Sequence, residues 1–133
     1  MRAFRAILAQ ENVETMEGWM HRNFPAGCFD WRPLPLTLTV HNDDPNLLGR
    51  IDSIERLGDW IIARGMLDDE GEGPAAVQRR DWIHQIEVGV INGISVEAGA
   101  VETSEECLAT DEDEWCTEIR LTFDRYQIGA ASV

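Results

Sequence analysis

From Leu34 to His41 apolar and polar side chains alternate one by one. Leu34, Leu36, Leu38 and Val40 fall on one parity, and Thr37, Thr39 and His41 on the other. A period of two predicts a strand with one buried and one polar face. Pro33 and Pro35 confine its early part to an edge or an extended approach. The stretch MRAFRAILA predicts an earlier strand. Residues 10–27 are polar with scattered aromatics and read as a loop or a short helical turn. HNDDPN reads as a turn. LLGRIDSIERL and GDWIIARGML read as two strands in a hairpin around Leu57, Gly58 and Asp59.

DDEGEGP is a loop, and Pro74 suits the first position of a helix. Val77, Trp82, Ile83, Ile86 and Val90 follow at roughly helical spacing, and Gly89 supplies a stop. GISVEAGAV returns to a strand pattern, with Ile94, Val96, Ala98 and Ala100 opposed to Ser95, Glu97 and Gly99. Residues 102–116 read as a solvated, mobile acidic loop, because seven acids lie between Glu102 and Glu114. CTEIRLTF and YQIGAASV read as a last pair of strands around Asp124 and Arg125.

These elements predict a mostly β (α+β) fold, with about seven strands, mainly antiparallel, and one clear helix, closed as a small barrel or a tightly bent sheet. The 133 residues suit a single domain. The chain stops at Val133 inside an apolar strand, which reads as a domain truncated at its C-terminus.

Charge narrows the partners. Asp and Glu number 25 against 11 Lys and Arg, a formal net charge of −14. Nucleic-acid affinity comes mainly from cations neutralising phosphates, so no nucleic-acid partner is expected. A basic partner or simple solubility remains open. The acids also admit a DNA-mimic reading, though their concentration in one segment disfavours a continuous acidic face. No run of 18 apolar residues exists, so no membrane partner is expected. The N-terminus turns polar too early for a secretory signal.

The three cysteines, Cys28, Cys107 and Cys116, are odd in number and irregular in spacing. That argues against a disulfide scaffold and fits a reducing compartment. A zinc site built from them with His21 or His84 lacks the usual C-x-x-C pair. Asp43, Asp44 and Asn46 are too few oxygens for a calcium loop. His84 sits among helix apolars and reads as structural. Five tryptophans share no period and read as packing residues.

Two residues carry candidate chemistry. Ser95 and His41 both lie on the polar parity of half-apolar strands. A serine hydroxyl becomes a nucleophile when an imidazole removes its proton. Parity alone leaves an ordinary strand serine and a surface histidine as the plainer alternative.

The order of motifs adds to this. An apolar strand ending in His41, then Gly49-Arg50-Ile51, a hairpin, a helix and Gly93-Ile94-Ser95-Val96 resembles the prohead (capsid maturation) proteases of tailed phages. The resemblance runs from about Phe29 to Val101 and resumes at DRYQIGAASV. It implies a bent antiparallel β-barrel with flanking helices, related to the herpesvirus assemblins. It also implies a serine endopeptidase that processes scaffold or a capsid-protein propeptide. The substrates would be the major capsid protein and scaffold segments. The place would be the host cytoplasm, inside the assembling procapsid, and no cofactor would be needed. A homo-oligomer is left open.

His41 would be the general base and Ser95 the nucleophile, with the amide of Ser95 or Val96 as oxyanion donor. Many relatives carry their third, orienting acid on the final strand, where this chain has Ala130. The candidates for a replacement are Asp124 first, then Glu118, then Glu97. The alternative implied by the same resemblance is a catalytically inactive assembly or interaction module.

Overall fold

Nine strands and one helix organise residues 1–40 and 47–133, the part of the chain that the computed structural model describes. In chain order they are β1 (Arg2–Gln10), β2 (Val13–Glu17), β3 (Met20–Phe24), β4 (Phe29–Trp31), β5 (Leu36–Thr39), β6 (Leu47–Leu57), β7 (Trp60–Leu67), α1 (Pro74–Glu87), β8 (Ser95–Thr110) and β9 (Cys116–Ser132). All the strands join one mixed sheet, ordered β1-β7-β6-β5-β9-β3-β2, with β4 and β8 also paired to β9.

β9 is the spine of that sheet. β3, β4 and β5 pair with it in parallel, one after another along its length. β8 pairs with it antiparallel from Ser95 to Thr110. Five of the eight ladders among the described residues are antiparallel, in keeping with the expectation of mainly antiparallel neighbours, and the three short ladders onto β9 are the parallel ones. Parallel strands need long crossover connections, and here each of the three is far from β9 in sequence. The sheet curls until β1 comes near β8. No ladder joins them among the described residues, so the sheet is open rather than a closed barrel.

Alternation places the core where the pattern predicts it. Leu36 and Leu38 are buried, Thr37 is exposed, and Leu48, Ile51, Ile61 and Ile128 are completely enclosed. Phe24, Phe29, Phe123 and Tyr126 extend the core as a run of aromatic contacts, with ring centroids 4.7–5.9 Å apart. The helix begins at Pro74 as expected and ends before Gly89, whose φ of 81° suits glycine. Of the residues expected on its apolar face, Ile83 is buried and Trp82 and Ile86 pack against the core, whereas Val77 and Val90 are exposed and Ala76 is buried as well. His84 is exposed too, a correction to its structural reading.

Three further expectations change. Residues 13–24 form the β2–β3 hairpin instead of a loop. Residues 102–110 continue β8, leaving only a short turn before Cys116. The two strands expected around Asp124 are one strand of 17 residues. Cys107 and Cys116 are joined as a disulfide across the β8–β9 hairpin, with Cα atoms 6.0 Å apart. The odd cysteine is Cys28, which is buried and free. A disulfide at this position corrects the reading that argued against one, and it removes two of the three thiols weighed for zinc.

Candidate active site

Ser95 is the first residue of β8 and is exposed. The β8–β9 register sets it opposite Ser132. The parallel β5–β9 register sets Thr39 opposite Ser132 from the other side. Thr39, Ser132 and Ser95 therefore make one rung across three strands. Neighbouring strands lie about 4.8 Å apart, which leaves Thr39 and Ser95 roughly 10 Å apart. The rung is fastened at its end by the Val133 amide, which donates to the Thr39 carbonyl over 3.0 Å. One residue back, Leu38, Ala131 and Val96 form the matching inward rung: Leu38 and Ala131 are buried, and Val96 packs against the core. In the Thr39 rung Ser132 is buried, Thr39 is half-buried and Ser95 is exposed, so that rung opens to solvent at its Ser95 end. His41 lies two residues after Thr39 and outside the described residues, as do Asp43, Asp44 and Asn46.

A cleft of about 570 Å³ opens beside this end of the sheet. Gly93 and Ile94, immediately before Ser95, form part of its wall, with Phe4, Leu38, Ile86 and Val133. Most of that lining is apolar, and among the described residues the one charged side chain on it is Arg5. The turn after α1 shapes the wall: the amides of Val88 and Gly89 close on His84 and Ile86, and that of Ile91 on Gln85. Extended chain then resumes at Ser95.

The acids proposed for the third position are distributed unevenly. Asp124 accepts the Ser104 hydroxyl over 3.3 Å. The stretch from Asp124 to Ser132 is about 26 Å of extended strand, so the ladder separates Asp124 from Ser95. Glu118 lies further still along β9 and meets His21 Nε2 at 2.7 Å. Glu97 is two residues from Ser95 on the same strand, paired with Ala130. Of the three acids, only Glu97 shares the Ser95 end of the ladder.

Cysteine offers no rival nucleophile here. Burial, reinforced by the charge of Glu11, pushes the Cys28 thiol up to about 11. It stays protonated near neutral pH and so remains inert. Among the described residues no three His, Cys, Asp or Glu side chains converge as a metal would require.

Two residues with local prominence escaped the sequence reading. Glu11 is 1% exposed and lies under Arg56. Arg32 extends over the backbones of Gly99 and Gly129. No local pattern marks Glu11, which sits in a polar run. Arg32 stands just before Pro33, where the sequence pattern shows only an extended approach.

No family model, curated protein or solved structure matches this chain.

Proposed function

We propose that the chain is a serine endopeptidase of the prohead protease type, with Ser95 as nucleophile and His41 as general base. One observation carries this reading. The strand that leads into His41 and the strand that Ser95 opens end on the same rung, either side of Ser132. The two segments are far apart in sequence, and an ordinary strand serine gives no reason for them to converge. The exposure of Ser95 and the adjoining apolar cleft support the same reading.

The reaction is acyl transfer. Ser95 Oγ attacks the scissile carbonyl while His41 takes its proton, and His41 returns that proton to the leaving amine. Water then releases the acyl group by the reverse proton path. Backbone amides hold the oxyanion. The third position falls to Glu97. Ala130, where the resemblance expects an acid, is its direct cross-strand partner. Residues opposite one another in a ladder project from the same face, with Cβ atoms about 5 Å apart. A carboxylate moved from one strand to its neighbour keeps that face. The fold proposed with this reading is a bent, assemblin-like barrel whose seam lies between β1 and β8. Its substrates are scaffold and capsid-protein segments in an assembling procapsid.

The alanine at position 130 also favours a second reading, an inactive assembly module with the same fold. Intact mass after exposure to a fluorophosphonate decides between them. The protease reading expects one adduct on the wild type and none on Ser95→Ala or His41→Ala. It expects Glu97→Gln to label at least about 10²-fold more slowly, because losing an orienting acid can cost about 10⁴. An unlabelled wild type overturns the protease reading.

A further inference from the structure

The chain has no lysine, so its 11 Lys and Arg positions are all arginine. Eight make ion pairs with carboxylates: Arg2, Arg22, Arg50, Arg56, Arg64, Arg79, Arg120 and Arg125. Arg80 donates to the carbonyls of Asp69 and Gly71. Among the described residues, Arg5 and Arg32 have neither kind of partner. In a chain with 25 acids an unpaired guanidinium is unusual, and that of Arg32 lies exposed against the backbone of two strands.

Two glycines on adjacent strands make the surface under Arg32. A Cβ on Gly99 would come within 2.9 Å of Arg32 Nε, and one on Gly129 within 3.3 Å of Nη1. The register between β8 and β9 shifts at this point, with Glu97 opposite Ala130 and Ala98 opposite Ile128, so Gly129 is an extra residue on β9. The bulge and the missing side chains give the flat guanidinium room to lie against the backbone. The Arg32 amide is anchored below, donating to the Ile128 carbonyl over 3.0 Å. Alternation along β8 puts Ser95, Glu97 and Gly99 on one face. Arg32 therefore lies on the Ser95 face, about 13 Å along the strand from Ser95.

We infer that Arg32 is a specificity-determining residue that receives an acidic side chain of the peptide substrate. This inference rests on the protease reading of Ser95. An extended peptide advances about 3.3 Å per residue, so the recognised acid stands roughly four residues from the scissile bond. A carboxylate can take two parallel N–H bonds from a guanidinium, which fixes orientation as well as charge. The surrounding acids leave Arg32 as the one free cation on this face among the described residues, so an acidic residue is accepted only there.

The test is cleavage-site profiling on a degenerate peptide library read by mass spectrometry, with fluorophosphonate labelling run beside it. Four proteins are compared: wild type, Arg32→Gln, Arg32→Glu and Arg5→Gln. The expected wild-type profile is enriched in Asp or Glu at one position about four residues from the cut. Arg32→Gln lowers that enrichment roughly tenfold, the worth of a charge-assisted hydrogen bond, while Ser95 still labels at the wild-type rate. Arg32→Glu turns the preference toward Arg and Lys. Arg5→Gln leaves it intact. A labelled wild type that makes no cuts, shows no acid preference, or keeps it in Arg32→Gln overturns the inference alone. Loss of the preference in Arg5→Gln assigns it to the cleft instead and overturns it equally. An unlabelled, inactive wild type overturns both this inference and the protease reading.

Discussion

Glu11 shows how a single charge holds the corner between the sheet's early strands. Its carboxylate accepts the Phe29 amide at 3.0 Å and two bonds from Arg56, at 2.6 and 3.2 Å. Arg56 reaches on to the Phe29 carbonyl at 2.6 Å and lies over the Trp31 ring. Burial raises the carboxyl's pKa, but Arg56 and the backbone amides of Phe29 and Gly27 outweigh it and hold it below its ordinary value. The sign follows from linkage. A depressed carboxyl contributes stability above its unfolded pKa, and that stability is lost as pH falls through the folded one. Glu11→Gln should therefore cost most at neutral pH, and its difference from wild type should shrink below about pH 4. Arg56→Ala leaves the buried carboxylate without its cation and should cost about 3 kcal/mol at pH 7. Urea titrations at pH 7 and pH 3 check both. A Glu11→Gln cost that does not vary with pH would show that the carboxyl acts through shape alone.

At the scale of elements, the β6–β7 hairpin depends on two glycines. A Cβ on Gly49 would meet the Met66 carbonyl oxygen, and one on Gly65 would meet the Arg50 carbonyl oxygen and, at 2.8 Å, the Phe4 ring. Both contacts are with backbone in a paired ladder, which has no rotamer to give way. Gly49→Ala and Gly65→Ala should each cost at least about 2 kcal/mol, beyond the usual overpacking minimum. Gly58→Ala meets no atom but strains a φ of 60°, so it should cost about 1 kcal/mol. Thermal melts of the three variants check that ordering. These features also mark what the sequence made legible. The β6–β7 hairpin, α1 and the parity of β5 declare themselves through apolar runs or periods bounded by Gly or Pro, with β7 buried on both faces at Ile61, Ile62 and Ala63. The β2–β3 hairpin buries little and carries charges on both faces, so no period of two stands out. Residues 102–110 failed for the same reason. They are exposed on nearly every side chain, and their pairing with β9 comes from the ladder, not from apolar alternation. The rung of Thr39, Ser132 and Ser95 depends on a parallel pairing between distant segments, which no local pattern encodes. Position 41 and position 95 could each be picked out by parity, but the distribution of the three candidate acids could not.

At the scale of the whole molecule, β8 presents the largest hazard and carries its own remedy. It is 16 residues long and, among the described residues, pairs only with β9, so its outer edge has unpaired backbone groups. Such an edge is a template for another chain. Glu102, Glu105 and Glu106 lie along this strand and are exposed, and Glu106 also pairs with Arg120 of β9 at 3.1 Å. A second copy pairing there would bring like charges together, in a molecule already at −14. The acids first read as a solvated loop thus act as a guard on a strand. Replacing all three with Gln keeps side-chain size and removes three charges. The variant should self-associate with increasing concentration at pH 7 more strongly than the wild type, as measured by light scattering on a sizing column. Lowering the pH instead would weaken the Glu11–Arg56 pair, so unfolding and edge pairing would mix. The triple variant at neutral pH separates them, because Glu11 stays ionised and the core stays intact. If its melting temperature matches the wild type and it still remains dispersed, the acidic edge has no part in keeping copies apart. The charge of β8 would then need another explanation, such as a basic partner.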